Sequence, residues 1–205
     1  MIVKLGAAIV VLLALAASVT LSTYLMIDLP EPKITTSGTA TIGGPFTLVA
    51  TNGESVSDQT YRGKWLLIYF GYTYCPNACP TALNSISVAL EKLGSQANDL
   101  QPLFVTVDPE RDTRETMAKY LTSFDSRIIG LTGTKEQIDS VIKEYRLSVS
   151  REKSEHGGDD YLVSHSSYIY LVDSQGRFVS VIHGEAAGGD EIAIRLRKEM
   201  ADAGR

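Results

Sequence analysis

Apolar positions change their spacing along the chain, and each change marks an element. Trp65-Leu66-Leu67-Ile68-Tyr69-Phe70 is an unbroken apolar run of strand length, the pattern of a strand covered on both faces. Phe46 to Ala50 alternates and meets Asn52-Gly53, which predicts a hairpin with a two-residue turn and a return strand over Val56 to Asp58. Leu83, Ile86, Val88, Ala89, Leu90 and Leu93 follow helical spacing, and Gly94 is placed to end that helix. Leu103 to Val107 and Ile128 to Leu131 read as short strands. Between them Met117, Tyr120, Leu121 and Phe124 form one face of a helix over Thr113 to Phe124. Thr134 and Gln137 predict a capping box for a helix reaching about Tyr145.

Further on, Tyr161 to Val163 and Tyr168 to Val172 flank Ser164-His165-Ser166. Asp173-Ser174-Gln175-Gly176 turns the chain into Phe178 to Ile182, and a last helix runs from about Asp190 to Ala201. The order is hairpin, β, α, β, α, β, α, β, β, α. Alternating strands and helices imply parallel strands with right-handed crossovers, and the closing hairpin adds antiparallel ones. A mixed sheet flanked by helices, with a cysteine pair directly after a buried strand, is an α/β fold of the thioredoxin-like plan.

Ahead of this domain the pattern differs. No charged residue occurs from Leu5 to Ile27. At about 1.5 Å per residue a helix there is roughly 34 Å long, enough to cross a hydrocarbon core of about 30 Å. Lys4 precedes the run and Asp28 and Glu31 follow it, so residues 1–4 are expected in the cytoplasm and the main domain outside it. A cleaved signal peptide is the competing expectation, with small residues from Ala14 to Ser18, but the apolar run continues past them through Leu25. The resulting division is an anchor over 5–27, a Pro- and Gly-bearing linker over 28–44 and a thioredoxin-like domain over 45–205. Without an Arg- and Ser-rich leader, a bacterial inner membrane with the domain in the periplasm is the expected location.

The formal net charge of -5 leaves no basic stripe for phosphates, which argues against nucleic acid as a partner. The chemistry concentrates on the only two cysteines, Cys75 and Cys79. A periplasmic pair is often a structural disulfide. A bridge closing so short a loop stabilises little, and a chain of 205 residues does not depend on it. Both cysteines precede proline, and Pro80 suits the first position of a helix, where its missing N–H costs nothing. Thiols at a helix N-terminus ionise more readily than free ones, and thiolates serve both metal binding and a redox-active disulfide.

A third ligand must come from His156, His165 or His183. His156 lies in a polar Gly-rich stretch and reads as exposed, and His183 reads as a surface or capping residue. His165 enters the strand Tyr168 to Val172, and in thioredoxin-like folds that loop faces the cysteine loop. Two thiolates and one imidazole suit copper, whereas zinc ordinarily takes a fourth ligand and iron–sulfur clusters four cysteines. The bland alternative is a histidine hydrogen-bonded beside a strand.

The same residues carry a resemblance. Phe70 through Pro80, Val105-Thr106-Val107-Asp108-Pro109-Glu110-Arg111-Asp112-Thr113, Gly130-Leu131-Thr132-Gly133, and Val163-Ser164-His165-Ser166 through Tyr170-Leu171 occur in the order found in the Sco/SenC family. The chain resembles these membrane-anchored, thioredoxin-like copper proteins of cytochrome c oxidase assembly over nearly all of the main domain. The resemblance implies that Cys75, Cys79 and His165 bind copper as Cu(I) or Cu(II). It also implies a metallochaperone, a carrier more than a catalyst, that passes the metal to the oxidase subunit bearing the binuclear CuA centre. Other copper chaperones are implied as further partners, and reduction of the subunit's disulfide as a second role. Asn77 and Ser164 stand where family members often have aspartate. Asp108 is expected either near the ligands or docking a partner, or as a helix-entry residue, with Arg111 and Asp112 shaping that entry. The alternative function is a periplasmic thiol–disulfide oxidoreductase using Cys75 and Cys79 without metal; a peroxidase lacks its Thr and Arg pattern.

Overall fold

The computed structural model describes residues 42–153 and 161–203. The expected anchor, most of the linker and His156 lie outside the described residues. Among the described residues no helix is long and apolar enough to cross a membrane.

Seven strands form one mixed sheet. In chain order they are β1 (Thr47–Ala50), β2 (Ser55–Ser57), β3 (Trp65–Gly71), β4 (Leu100–Thr106), β5 (Ile129–Thr132), β8 (Tyr168–Val172) and β9 (Phe178–His183). They lie side by side as β2-β1-β5-β4-β3-β8-β9. The remaining strands, β6 (Val149–Lys153) and β7 (Tyr161–His165), pair with each other in a separate two-stranded sheet. The helices are α1 (Ala78–Leu93), α2 (Arg114–Leu121), α3 (Lys135–Glu144) and α4 (Gly189–Ala203). The expected thioredoxin-like sheet is present, with β3 parallel to β4, β4 parallel to β5, and β8 antiparallel to β3.

The apolar run at Trp65 is central for a physical reason. All seven residues of β3 are buried, so both faces are covered and the strand has no polar side to turn to water. Helix α1 packs on α4, while α2 lies against β5 and α3 against β1. Gly94 ends α1 at φ +57°, and Thr134 with Gln137 forms the expected reciprocal cap of α3.

Three details differ from the sequence reading. The β1–β2 reversal takes three residues, because Ala50 N donates to Glu54 O and Gly53, at φ +92°, donates to Ala50 O. Strand β4 starts earlier than expected and contains Pro102. The proline is tolerated because β5 pairs with β4 only from Leu103, so the ladder on that side has not yet begun. Strand β6 was not expected at all, since its side chains are mostly exposed and show no apolar period.

Candidate metal centre

The topology brings the sequence-predicted ligands to one end of the sheet. Strand β3 ends at Gly71 and releases the cysteine loop there. Because β8 runs antiparallel to β3, with Tyr69 opposite Ile169, the start of β8 lies beside that same end. His165 closes β7, three residues before Tyr168 opens β8, so it arrives opposite the cysteines. One ligand atom from each of Cys75, Cys79 and His165 lies within 4.8 Å of the others.

Local chemistry shapes the pair. Helix α1 begins at Ala78, two residues before the expected start at Pro80. The proline still falls in the first turn, where its N–H is not needed. The free Cys79 N–H of that turn donates to the Cys75 sulfur at 3.3 Å. Cys79 is fully buried under the strand end, whereas Cys75 is half-buried. Glycine at position 71 makes this possible, for an added Cβ meets Cys79 Sγ and Phe104 Cε2 at 2.8 Å each.

The two thiols are unequal. A hydrogen bond from Cys79, with others from the Cys79 and Asn77 backbone N–H groups, outweighs burial and brings the Cys75 pKa down to about 4. The hydrogen bond to Cys75 and burial push Cys79 far up. The pair therefore carries one negative charge, centred on Cys75, and one proton held on Cys79. Both thiols are free in the structure.

The imidazole is set up as a ligand. Its Nδ1 lies 3.2 Å from the Ser166 carbonyl, which can only accept, so that nitrogen carries the proton. The lone pair on Nε2 then faces Cys79 Sγ at 3.5 Å. Tyr69 and Tyr72 present their rings edge-on to the imidazole at 6.3 and 6.0 Å and limit its rotation. Two sulfurs and one neutral nitrogen, unmixed with carboxylates, form a soft three-donor set that fits a monovalent copper ion. A groove of about 320 Å³ opens beside it, lined by Cys75, Asn77, Leu162, Ser164, His165 and Glu185. Asn77 and Ser164 thus face the site's open side.

The acidic residues after β4 depart from the helix-entry expectation. Asp108 and Asp112 are both fully buried, and neither caps α2, whose N-cap is Thr113. Asp112 reaches back to the cysteine loop. Its carboxylate accepts from Thr73 N at 3.1 Å, from Thr73 Oγ1 at 2.6 Å and from Thr106 Oγ1 at 2.7 Å. Asp108 is engaged by Arg111 and by the Tyr161 hydroxyl, and it is not directed at the sulfurs. These partners lie up to 53 residues apart, beyond the reach of local pattern. His183 is exposed and stacks edge-on with Tyr168, as a surface residue should.

Comparison with known proteins agrees with this geometry. The SCO1/SenC family model matches residues 34–201. The human mitochondrial SCO1 homolog is 39% identical over 165 residues, covering 80% of this chain but only 54% of that protein. A SCO2-like protein of Rickettsia prowazekii is 39% identical over 163 residues, covering 76% of this chain and 80% of its own length. Among solved structures, Bradyrhizobium japonicum ScoI with copper bound matches with a TM-score of 0.71 at 42% identity, over 77% of this chain and 99% of that one. Arabidopsis thaliana ScoI with copper bound gives 0.73 at 37%, over 78% and 99%. With the family match spanning nearly all of the described fold, cysteine loop and histidine hairpin included, the chain belongs to the SCO1/SenC family.

Proposed function

We propose that the protein is a copper metallochaperone for cytochrome c oxidase that carries one copper ion on Cys75, Cys79 and His165. The observation that carries this reading is the convergence of those three ligand atoms within 4.8 Å, in a fold shared with ScoI structures that have copper bound. Copper is cargo on this reading. The site takes it through the Cys75 thiolate and the Nε2 lone pair and gives it up on the side open to the groove. The recipient is the oxidase subunit that holds the CuA centre. The charge-free run from Leu5 to Ile27 supports anchoring in a bacterial inner membrane, with the domain in the periplasm.

The test is titration of the reduced full-length protein with Cu(I) and Cu(II), compared with Cys75→Ala and His165→Ala. One copper per chain is expected, with thiolate-to-copper charge-transfer absorption in the Cu(II) form and weaker binding in both variants. Unchanged affinity in His165→Ala refutes the ligand set.

A second role is favoured by the depressed Cys75 pKa, the property of an attacking thiolate. Cys75 attacks one sulfur of a partner disulfide and expels the other as a thiolate. Cys79, losing its proton, then displaces the mixed disulfide, leaving a Cys75–Cys79 disulfide and a reduced partner dithiol. Two electrons pass to the partner. Failure to reduce an oxidised CuA-domain dithiol in any redox buffer refutes this role.

A further inference from the structure

The histidine hairpin belongs to its own two-stranded sheet, so no ladder of the main sheet holds His165 at its distance from the sulfurs. Side chains between the hairpin and the cysteine loop must do so, and Arg111 is placed among them. Its guanidinium carbon lies 3.7 Å from the ring centre of Tyr161, on β7. It also lies 4.8 Å from the ring of Tyr74, the residue before Cys75, and 5.7 Å from that of Tyr72. One end of the guanidinium donates to the Tyr161 carbonyl at 2.9 Å, while Nε donates to Asp108 Oδ2 at 2.5 Å.

Asp108 completes the arrangement from beneath. It is fully buried, and its second oxygen accepts from the Tyr161 hydroxyl at 2.6 Å. The carboxylate therefore fixes both the guanidinium and the ring on which it stacks. A parallel tie runs from the cysteine loop itself, where the Tyr72 hydroxyl accepts from Val163 N at 3.2 Å, two residues before His165. A lysine cannot replace Arg111 here, because a point charge does not stack on two rings while donating in two fixed directions.

We propose that Arg111 is a positioning residue for the metal centre: with Asp108 and Tyr161 it clamps the histidine hairpin to the cysteine loop and sets the distance from His165 to the thiols. This rests on the reading of His165 as a copper ligand. Arg111 is not one of the three ligands; the clamp acts on copper binding by placing the imidazole.

That last property supplies the test, a double-mutant cycle on the reduced full-length protein with copper affinity measured against a competing chelator. Arg111→Met is expected to weaken copper binding by roughly 10–100-fold, the usual effect of removing an outer residue that orients a ligand. In a His165→Ala background the same substitution is expected to change affinity by less than about twofold, because an effect that acts through His165 is lost with it and the two changes are not additive. In the Cu(II) form, nitrogen hyperfine coupling should fade while thiolate charge-transfer absorption persists. Tyr161→Leu keeps the Asp108–Arg111 pair and carries the same expectations should Arg111→Met fail to fold. Equal losses in the parent and His165→Ala backgrounds overturn the clamp, as does an undiminished affinity in both hairpin variants. If His165→Ala itself binds copper like the parent, the ligand assignment falls and the clamp falls with it.

Discussion

Asp112 offers the sharpest test of how the cysteine loop is held, because two substitutions there separate hydrogen bonding from charge. Its carboxylate receives three donors, Thr73 N–H, Thr73 O–H and Thr106 O–H, in a fully buried position. Asp112→Ala strands all three. At about 1 kcal/mol for each bond lost, the expected cost is about 3 kcal/mol, a large share of the 5–15 kcal/mol typical of a domain. Asp112→Asn keeps an oxygen for the two Thr73 donors and turns its amide toward Thr106, whose hydroxyl oxygen can accept. Burial raises the Asp112 pKa in spite of its donors, so loss of the charge itself costs little, and about 1 kcal/mol is expected. The sign of the pH dependence follows. A carboxyl raised above its ordinary 3.8 contributes stability below that value and loses it as pH rises through the folded pKa, so the parent's advantage over Asp112→Asn is largest in acid. Urea denaturation at pH 3 and pH 7, with the slope m checked for constancy, reads both effects. Equal losses for Ala and Asn refute the reasoning, since charge would then be what holds the loop.

Two further predictions concern the sulfurs. With its pKa near 4, Cys75 should react with iodoacetamide at a nearly constant rate from pH 6 to pH 8, whereas a tenfold rise per unit contradicts the assignment. Because that value lies below the ordinary 9.0, the stability linked to Cys75 is complete above 9.0 and is lost as pH falls through about 4. Gly71→Ala places a methyl 2.8 Å from both Cys79 Sγ and the Phe104 ring. It should cost about 1–3 kcal/mol in urea denaturation, and a loss within error of zero shows that the strand end can yield.

What could be read from the sequence was local or periodic. Strand β3 shows itself because a strand covered on both faces has no polar alternation to obscure it. The Thr134–Gln137 cap shows itself because both partners lie within one turn. His165 could be placed only through the thioredoxin-like plan, which sets the start of β8 against the end of β3. What stayed hidden is held by distant partners. Past Val149 the segment to Lys153 is polar and exposed, and it forms a strand because β7 pairs with it and Arg151 meets Glu110 at 2.9 Å and Asp108 at 3.5 Å. Asp112 reads as a helix-entry residue until Thr73, 39 positions away, is seen to donate to it. Local pattern records which elements form; it does not record which buried carboxylate ties one loop to another.

The inequality of the two thiols bears on how such a site can both hold copper and release it. Before copper arrives, Cys75 is ionised and half-buried beside the groove, whereas Cys79 is protonated and sealed under the strand end. On the proposed reading an incoming ion meets Cys75 first, and binding through both sulfurs must expel the proton on Cys79. That proton is held tightly by burial and by the Cys75 thiolate, so its loss opposes capture and its return favours release. Cys75 thus supplies attraction, and Cys79 supplies a counterweight that keeps binding reversible. An acceptor entering the groove meets Cys75 and His165, because Cys79 has no exposed surface. The first bonds to exchange are therefore those at the accessible ligands, and a proton returning to Cys79 completes the transfer.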